Sequence, residues 1–334
     1  MIYQVVWFIL WGVLWAAYFM LDGFDLGAGI LYPFLGRDEE KRSAIRAAIG
    51  PVWDGNEVWL VAAGGATFAA FPQAYAVLFS ELYLAVFFIL FGLIVRGVSL
   101  EFRSKGEAPG WRRFWDIGFF SGSLVPALLF GVAFGNLFRG LPIAEQARRA
   151  GGPALLNPYA LLAGVLFVAL FVVHGLIWLA TKTEGQLEET VLRWARPAWL
   201  LAAALEVVFL AASALGTELS ENYLARPVWL AVPLLTVISL ALTGRRISKK
   251  RPLPAFMWSC ATIVLTVFTG LIGLYPNLIL SRLDPARSLT IFNASSAPYT
   301  LKIMTIAAVV LLPVIIAYQA WVYRVFRGKS SSSY

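Results

Sequence analysis

Histidine and cysteine are almost missing from this chain: its 334 residues include one of each, His174 and Cys260. Methionine is scarce too, with four. A single histidine cannot supply axial ligands for several haems, and this donor set cannot build a multi-ligand zinc or copper site. Cys260 has no partner within the chain, so an internal disulfide is excluded. Charge is also short. Only 14% of residues are charged, against about 25% in an average soluble domain, while 60% are hydrophobic and 15% aromatic. That balance excludes a disordered chain, a collagen, a coiled coil and a disulfide scaffold. The net charge of +8 would suggest nucleic acid in a soluble domain. Here the basic residues sit in short loops between apolar runs, which points to membrane topology and away from a nucleic-acid partner.

A helix needs about 20 apolar residues to cross the hydrocarbon core. Nine segments qualify: Gln4–Leu21, Val52–Phe71, Val77–Val98, Phe114–Leu137, Tyr159–Ala180, Pro197–Leu215, Val228–Thr243, Pro254–Ile279 and Leu301–Tyr323. The second is weakened by Asp54, Asn56 and Glu57 in its first turns, and the seventh is short. The first reads as a span and not as a cleaved leader, because it lacks a basic start and is followed by Asp22-Gly23-Phe24-Asp25. The expected fold is therefore an all-α polytopic membrane protein of about nine transmembrane helices. Two four-helix bundles plus one extra helix would form a single domain over residues 1–327, with 328–334 a disordered cytoplasmic tail.

Loop charges set the expected orientation. Arg37, Lys41, Arg42 and Arg46 follow the first segment, and Arg103, Lys105, Arg112 and Arg113 the third. Lys182, Arg193 and Arg196 follow the fifth, Arg245, Arg246, Lys249, Lys250 and Arg251 the seventh, and Arg324, Arg327 and Lys329 the ninth. The alternate loops carry far fewer: Arg139, Arg148 and Arg149, then Arg226, then Arg282, Arg287 and Lys302. The positive-inside rule places the N-terminus outside and the C-terminus in the cytoplasm.

Ionisable residues within a bilayer are costly, so each demands a reason. The candidates are Asp22, Asp25, Asp54, Glu57, Arg96, His174 and Glu206. Asp22 and Asp25 are separated by about 60° of helical rotation and about 4.5 Å of rise, so they can share a face; Asp54 and Glu57 repeat the spacing. With this orientation Asp22, Asp25, Asp54, Glu57, Arg96 and Glu101 all fall toward the inner ends of three helices. Such a group forms either an ion network for packing or the mouth of a proton path, whose relays use groups that accept and release protons cheaply. Glu206 is mid-segment and either lines a polar cavity or bonds a neighbouring helix. His174, flanked by apolar residues, reads as a hydrogen-bonded packing residue, with a lone haem-ligand role as the alternative. Trp7, Trp11 and Trp15 form a stripe read as packing or lipid-facing. Gly23-x-x-x-Gly27 and Gly131-x-x-x-Gly135 allow close helix approach.

Several runs together carry a resemblance. Leu21-Asp-Gly-Phe-Asp-Leu-Gly27, Val52-Trp-Asp-Gly-Asn-Glu-Val-Trp59, Gly64-Gly-Ala-Thr-Phe-Ala-Ala-Phe-Pro72 and Phe102-Arg-Ser-Lys105 resemble subunit II of the cytochrome bd-type quinol oxidases. Gly131-Val-Ala-Phe-Gly-Asn136, Asn157-Pro-Tyr-Ala-Leu-Leu-Ala163 and Phe292-Asn-Ala-Ser-Ser296 extend it over nearly the whole chain. The resemblance implies a bacterial cytoplasmic membrane complex that oxidises quinol and reduces dioxygen to water. It implies a subunit I partner carrying haems b558, b595 and d, and a haem-free subunit II. A small single-helix subunit is a candidate further partner, and some members hold a structural quinone in subunit II. Asp54 matches the family's acidic proton-entry residue, with Trp53 and Glu57 shaping the mouth. Asp25 and Arg96 match positions that keep the partner's haems in place, and Asp22 joins them at the expected subunit junction. Two other classes stand beside this reading: a secondary transporter with its acids at mid-membrane, and a passive assembly scaffold.

Overall fold

The first apolar run does not stop at its acidic residues. In the computed structural model, which describes residues 1–143 and 155–329, α1 (Ile2–Leu21) passes at Asp22 into α2 (Gly23–Leu35). The two form one apolar element of 34 residues. Asp22 keeps right-handed helical angles, and its carbonyl accepts the Leu26 N–H at 2.9 Å. The expected end at Leu21 took Asp22 and Asp25 as a boundary. The helix continues because both carboxylates find partners on neighbouring helices, which offsets the cost of burying them.

The rest of the chain follows as α3 (Glu39–Ile49), α4 (Trp53–Ala70), α5 (Pro72–Glu81), α6 (Tyr83–Phe102), α7 (Pro109–Arg139), α8 (Pro158–Lys182), α9 (Gly185–Gly216), α10 (Leu219–Ala225), α11 (Ala231–Ser248), α12 (Pro252–Leu274) and α13 (Pro298–Val325). Eight elements among the described residues are long and apolar enough to cross a bilayer. The expected second span, α4, has 18 residues and stays outside that set because its first turns are polar. The architecture is all-α and polytopic, and compatible with about nine crossings.

Three boundaries differ for local reasons. Phe71 leaves helical geometry and Pro72 starts α5, so the third span begins at Tyr83 and not at Val77. The sixth begins at Gly185, twelve residues before the expected Pro197, because a polar stretch continues the helix beyond the apolar part. The eighth stops at Leu274. Pro276 disfavours helix at the residue before it, and β1 (Asn277–Ile279), at the end of the expected span, pairs antiparallel with β2 (Leu289–Thr290). Residues 144–154, with Arg148 and Arg149, lie outside the described residues, as does most of the tail 328–334.

Packing joins neighbours in sequence and several elements distant in sequence. α7 lies along α6 and α8, α8 along α9, and α11 along α12, while α1–α2 crosses α4, α7, α8 and α12. This pairing is compatible with two four-helix halves. Two glycines set the closest crossings. A Cβ on Gly27 would sit 1.9 Å from the Phe171 carbonyl oxygen, and one on Gly131 would sit 2.5 Å from that of Ala163. Substitution there would push α8 away from α2 or α7. The tryptophan stripe packs inward at Trp7 and Trp11. Trp7 donates to the Leu301 carbonyl at 3.1 Å and to Thr305 at 3.0 Å, and Trp11 donates to Thr67 at 2.8 Å. These bonds pin α13 and α4 to α1. α13 otherwise stands at the edge: its apolar window is 6% buried, against 72% for α8.

The charged loops gather on one rim. Arg103 clasps Glu39 at 2.7 and 2.9 Å and also binds Asp116, which takes Arg42 at 2.8 Å. On the same helix start, Lys41 bonded to Asp38 holds that carboxyl below its usual range, and Arg103 does so for Glu39. Lys182 donates to the Phe326 carbonyl, and Lys329 to the Thr183 carbonyl at 2.6 Å. The opposite rim is tied by backbone, with Leu141 N–H on the Leu280 carbonyl at 2.8 Å and Ser296 N–H on that of Ala70 at 2.9 Å.

Candidate functional site

α2, α4 and α6 each bring a charge to one point inside the protein. Arg96 of α6 is fully buried and its Nη2 donates to Asp22 Oδ1 at 2.7 Å and to Glu57 Oε1 at 2.5 Å. Glu57 is 26% exposed, so the network reaches the surface there. Asp25, one helical step from Asp22, takes a different partner: Asn56 Nδ2 donates to its Oδ2 at 2.7 Å. The charges thus divide into Asp22–Arg96–Glu57 on one side and Asp25–Asn56 on the other.

Asn56 is the centre of the second arm. Its amide also donates to the Leu21 carbonyl at 3.1 Å. Its oxygen accepts from Gln319 and from the Tyr323 hydroxyl, each at 2.8 Å. Gln319 in turn accepts from Trp59 at 3.2 Å. Gln319 and Tyr323 come from α13 and were missed in the sequence. The available signal was weak: Gln319 is the one carboxamide in α13. Asn56 was visible within the Trp53–Glu57 run, yet its role as a bridge requires α13.

The core of this site is electrically unbalanced. Asp22, Asp25 and Glu57 face a single guanidinium. Asp22 Oδ2, Asp25 Oδ1, Arg96 Nε and Nη1, and the Tyr18 hydroxyl are buried without a hydrogen-bond partner in the protein. Groups of this kind keep unused bonding capacity, which is costly in a packed core and useful where protons exchange. Three carboxyls with spare lone pairs around one fixed cation can hold a proton at more than one atom.

Asp54 lies one turn from Glu57 on α4 and is exposed, its Oδ1 accepting the Gly55 N–H at 2.7 Å. It makes no direct hydrogen bond to the buried network. Trp53 sits half-buried against Gly97, where a Cβ would meet its ring at 3.1 Å, so the indole packs beside Arg96. Glu101 lines a small cavity of about 40 Å³ with Trp53 and Arg46 and does not join the network.

The remaining buried polar residues are elsewhere. His174 is fully buried, with Nδ1 2.7 Å from Ser259 Oγ and Nε2 2.9 Å from the Met20 carbonyl. Its ring stacks on Phe256 at 4.6 Å. Both ring nitrogens are engaged, so the geometry matches a hydrogen-bonded packing residue. Glu206 accepts from Thr266 at 3.2 Å and is surrounded by helices α9 and α12.

Long apolar helices closed over a buried ion network define a polytopic membrane protein that keeps charge between its helices. The model of the cytochrome bd terminal oxidase subunit II family matches residues 3–326. The cytochrome bd ubiquinol oxidase subunit 2 of Bacillus subtilis (strain 168) is 40% identical over 328 residues, covering 98% of this chain and 96% of that protein. The cytochrome bd-I ubiquinol oxidase subunit 2 of Escherichia coli (strain K12) is 36% identical over 352 residues, covering 96% and 93%. A chain in the solved bd oxidase of Geobacillus thermodenitrificans shares the fold, with a TM-score of 0.60 at 11% identity over 97% of this chain and 98% of that one. The chain belongs to the cytochrome bd terminal oxidase subunit II family. It is a multi-pass subunit of a respiratory oxidoreductase in a bacterial inner membrane. That complex contains haem and a subunit I partner.

Proposed function

We propose that this chain is the haem-free subunit of a quinol-oxidising, dioxygen-reducing complex, and that it supplies part of the proton path from the cytoplasm. Reducing dioxygen to water consumes protons, and the subunit that holds no redox centre can deliver them. The observation that carries this reading is the convergence of Asp22, Glu57 and Arg96 one turn from the exposed Asp54. Asp54 takes the proton at the surface and Trp53 walls the mouth. Glu57 receives it beside Arg96, whose fixed positive charge keeps a carboxylate available. Asp22 and Asp25 extend the acid capacity inward, and Asn56 orients Asp25.

The same geometry supports a junction role. α4, α6 and α13 leave apolar side chains such as Val61, Phe91 and Trp321 exposed, with the partly exposed Glu57 among them. A carboxylate facing lipid is expensive, so a protein surface is the natural cover. Subunit I, carrying haems b558, b595 and d, meets this face, where Asp25 and Arg96 hold the junction in register. A single-helix subunit and a structural quinone remain part of this proposal by family resemblance alone. Residues 1–327 act as one transmembrane domain with the N-terminus outside and the C-terminus in the cytoplasm, a reading supported by the basic loops.

The test is Asp54→Asn in the assembled complex. The expected result is slowed oxygen consumption with haem content unchanged. Unchanged turnover and charge transfer would reduce the chain to a passive scaffold. Separately, normal haem spectra in both Asp25→Asn and Arg96→Gln would end the junction role.

A further inference from the structure

The basic rim holds a second built feature that the proton path does not use. Between the end of α2 and the start of α7 lies a groove of about 660 Å³. Its wall is apolar: Pro33 and Phe34 from α2 face Ile117 and Phe120 from α7, and the Phe34 and Phe120 rings meet edge to face at 6.2 Å. Arg42, Arg112 and Arg113 stand at its mouth. Cationic side chains beside an apolar wall are the two halves of an amphiphile's complement.

The charge balance favours an anion. Asp116 is shared by Arg42 and Arg103, and Glu39 by Arg103, Arg46 and, at 3.9 Å, Arg112. Arg113 has no ion pair among the described residues. With the exposed Glu107 counted, five arginines stand against three carboxylates, so the mouth keeps a positive surplus. Depth points the same way. Phe34 and Phe114 are exposed, and the Trp111 indole donates to the Phe102 carbonyl. Such aromatic residues favour the headgroup level of a bilayer.

We propose that this groove binds an anionic phospholipid of the inner leaflet. Its phosphate lies against Arg42, Arg112 and Arg113, and an acyl chain runs along Phe34, Ile117 and Phe120. Basic pockets between transmembrane helices on the cytoplasmic side take anionic headgroups in this manner. The leaflet rests on the orientation proposed above; the lipid chemistry does not.

The experiment uses the intact complex, stripped of lipid in detergent and re-exposed to equal phosphatidylglycerol and phosphatidylcholine, with retained lipid read by native mass spectrometry. Phosphatidylglycerol should be retained preferentially. Arg113→Gln should lower its retention about fivefold, and Arg112→Gln with it further, while phosphatidylcholine retention and oxidase turnover stay unchanged. Equal retention of the two lipids, or unchanged phosphatidylglycerol retention in the double variant, would overturn the site. Displacement of phosphatidylglycerol by inorganic phosphate alone would mean an anion site without a lipid slot. Loss of the partner subunit from the Arg113→Gln complex would mean that protein fills the groove. For the leaflet, Ser104→Cys in a Cys260→Ser background should resist a membrane-impermeant maleimide in right-side-out vesicles. Labelling there would refute the orientation and move the site to the outer leaflet, whatever the lipid preference.

Discussion

The two halves of this protein treat buried polarity in opposite ways. In the first half three carboxyls and one guanidinium meet on α2, α4 and α6, with several of their atoms left without protein partners. In the second half Glu206 has a threonine at one oxygen and no partner at the other, His174 has a serine and a carbonyl, and the hydroxyls of α11 and α12 bond to one another or to their own helices. The first arrangement is charged and reaches the surface through Glu57. The second is short-range, uncharged in its partners and enclosed. Helices of similar length and apolarity therefore say little about role; what separates the halves is whether a buried carboxyl faces an arginine beneath an uncovered helix face.

That contrast can be broken in order of expected size. Arg96→Gln should be the most damaging, because it strands Asp22 and Glu57 without their cation. Removing one partner of a buried pair costs about 3–5 kcal/mol. The yield of assembled, haem-loaded complex should fall sharply, and Arg96→Lys should restore only part of it. Asn56→Ala should come next, at about 1–3 kcal/mol, since it unseats Asp25 together with Gln319 and Tyr323. A lower melting temperature of the complex would register it. A smaller effect belongs to the rim. Glu39 titrates below its ordinary value of 4.5 because Arg103 bonds its charged form. Its contribution is therefore complete above that value and is lost as pH falls through the lower folded value. Melting of the complex between about pH 5 and about pH 3 should show an acid-side loss that Glu39→Gln removes. Glu206→Gln should matter least. The amide oxygen keeps the bond from Thr266, so turnover and melting should stay close to the parent.

Much of this was legible in the chain. The apolar runs marked the helices because hydrocarbon imposes a length, and alternating loop charge suggested their sidedness. Asp22, Asp25, Asp54, Glu57 and Arg96 stood out because charge in such runs needs a reason. Pairing was another matter. Nothing in the spacing says that Arg96 chooses Asp22 and Glu57 while Asp25 turns to Asn56, since that depends on how α2, α4 and α6 rotate against each other. Asp22 also misled at the boundary: a paired aspartate does not end a helix, whereas an unpaired one would. Gln319 and Tyr323 were hidden because an amide and a phenol in α13 look like ordinary interfacial residues until that helix is seen docked beside Asn56.

The central claim is that protons enter at Asp54 and reach the buried acids through this subunit. The most direct measurement compares Asp54→Asn with Glu206→Gln in the purified complex, following oxygen consumption, proton uptake and haem absorbance together. The account predicts that Asp54→Asn slows turnover and proton uptake together while the haem spectrum is preserved, and that Glu206→Gln changes none of the three. Parent-like turnover and uptake in Asp54→Asn would contradict it.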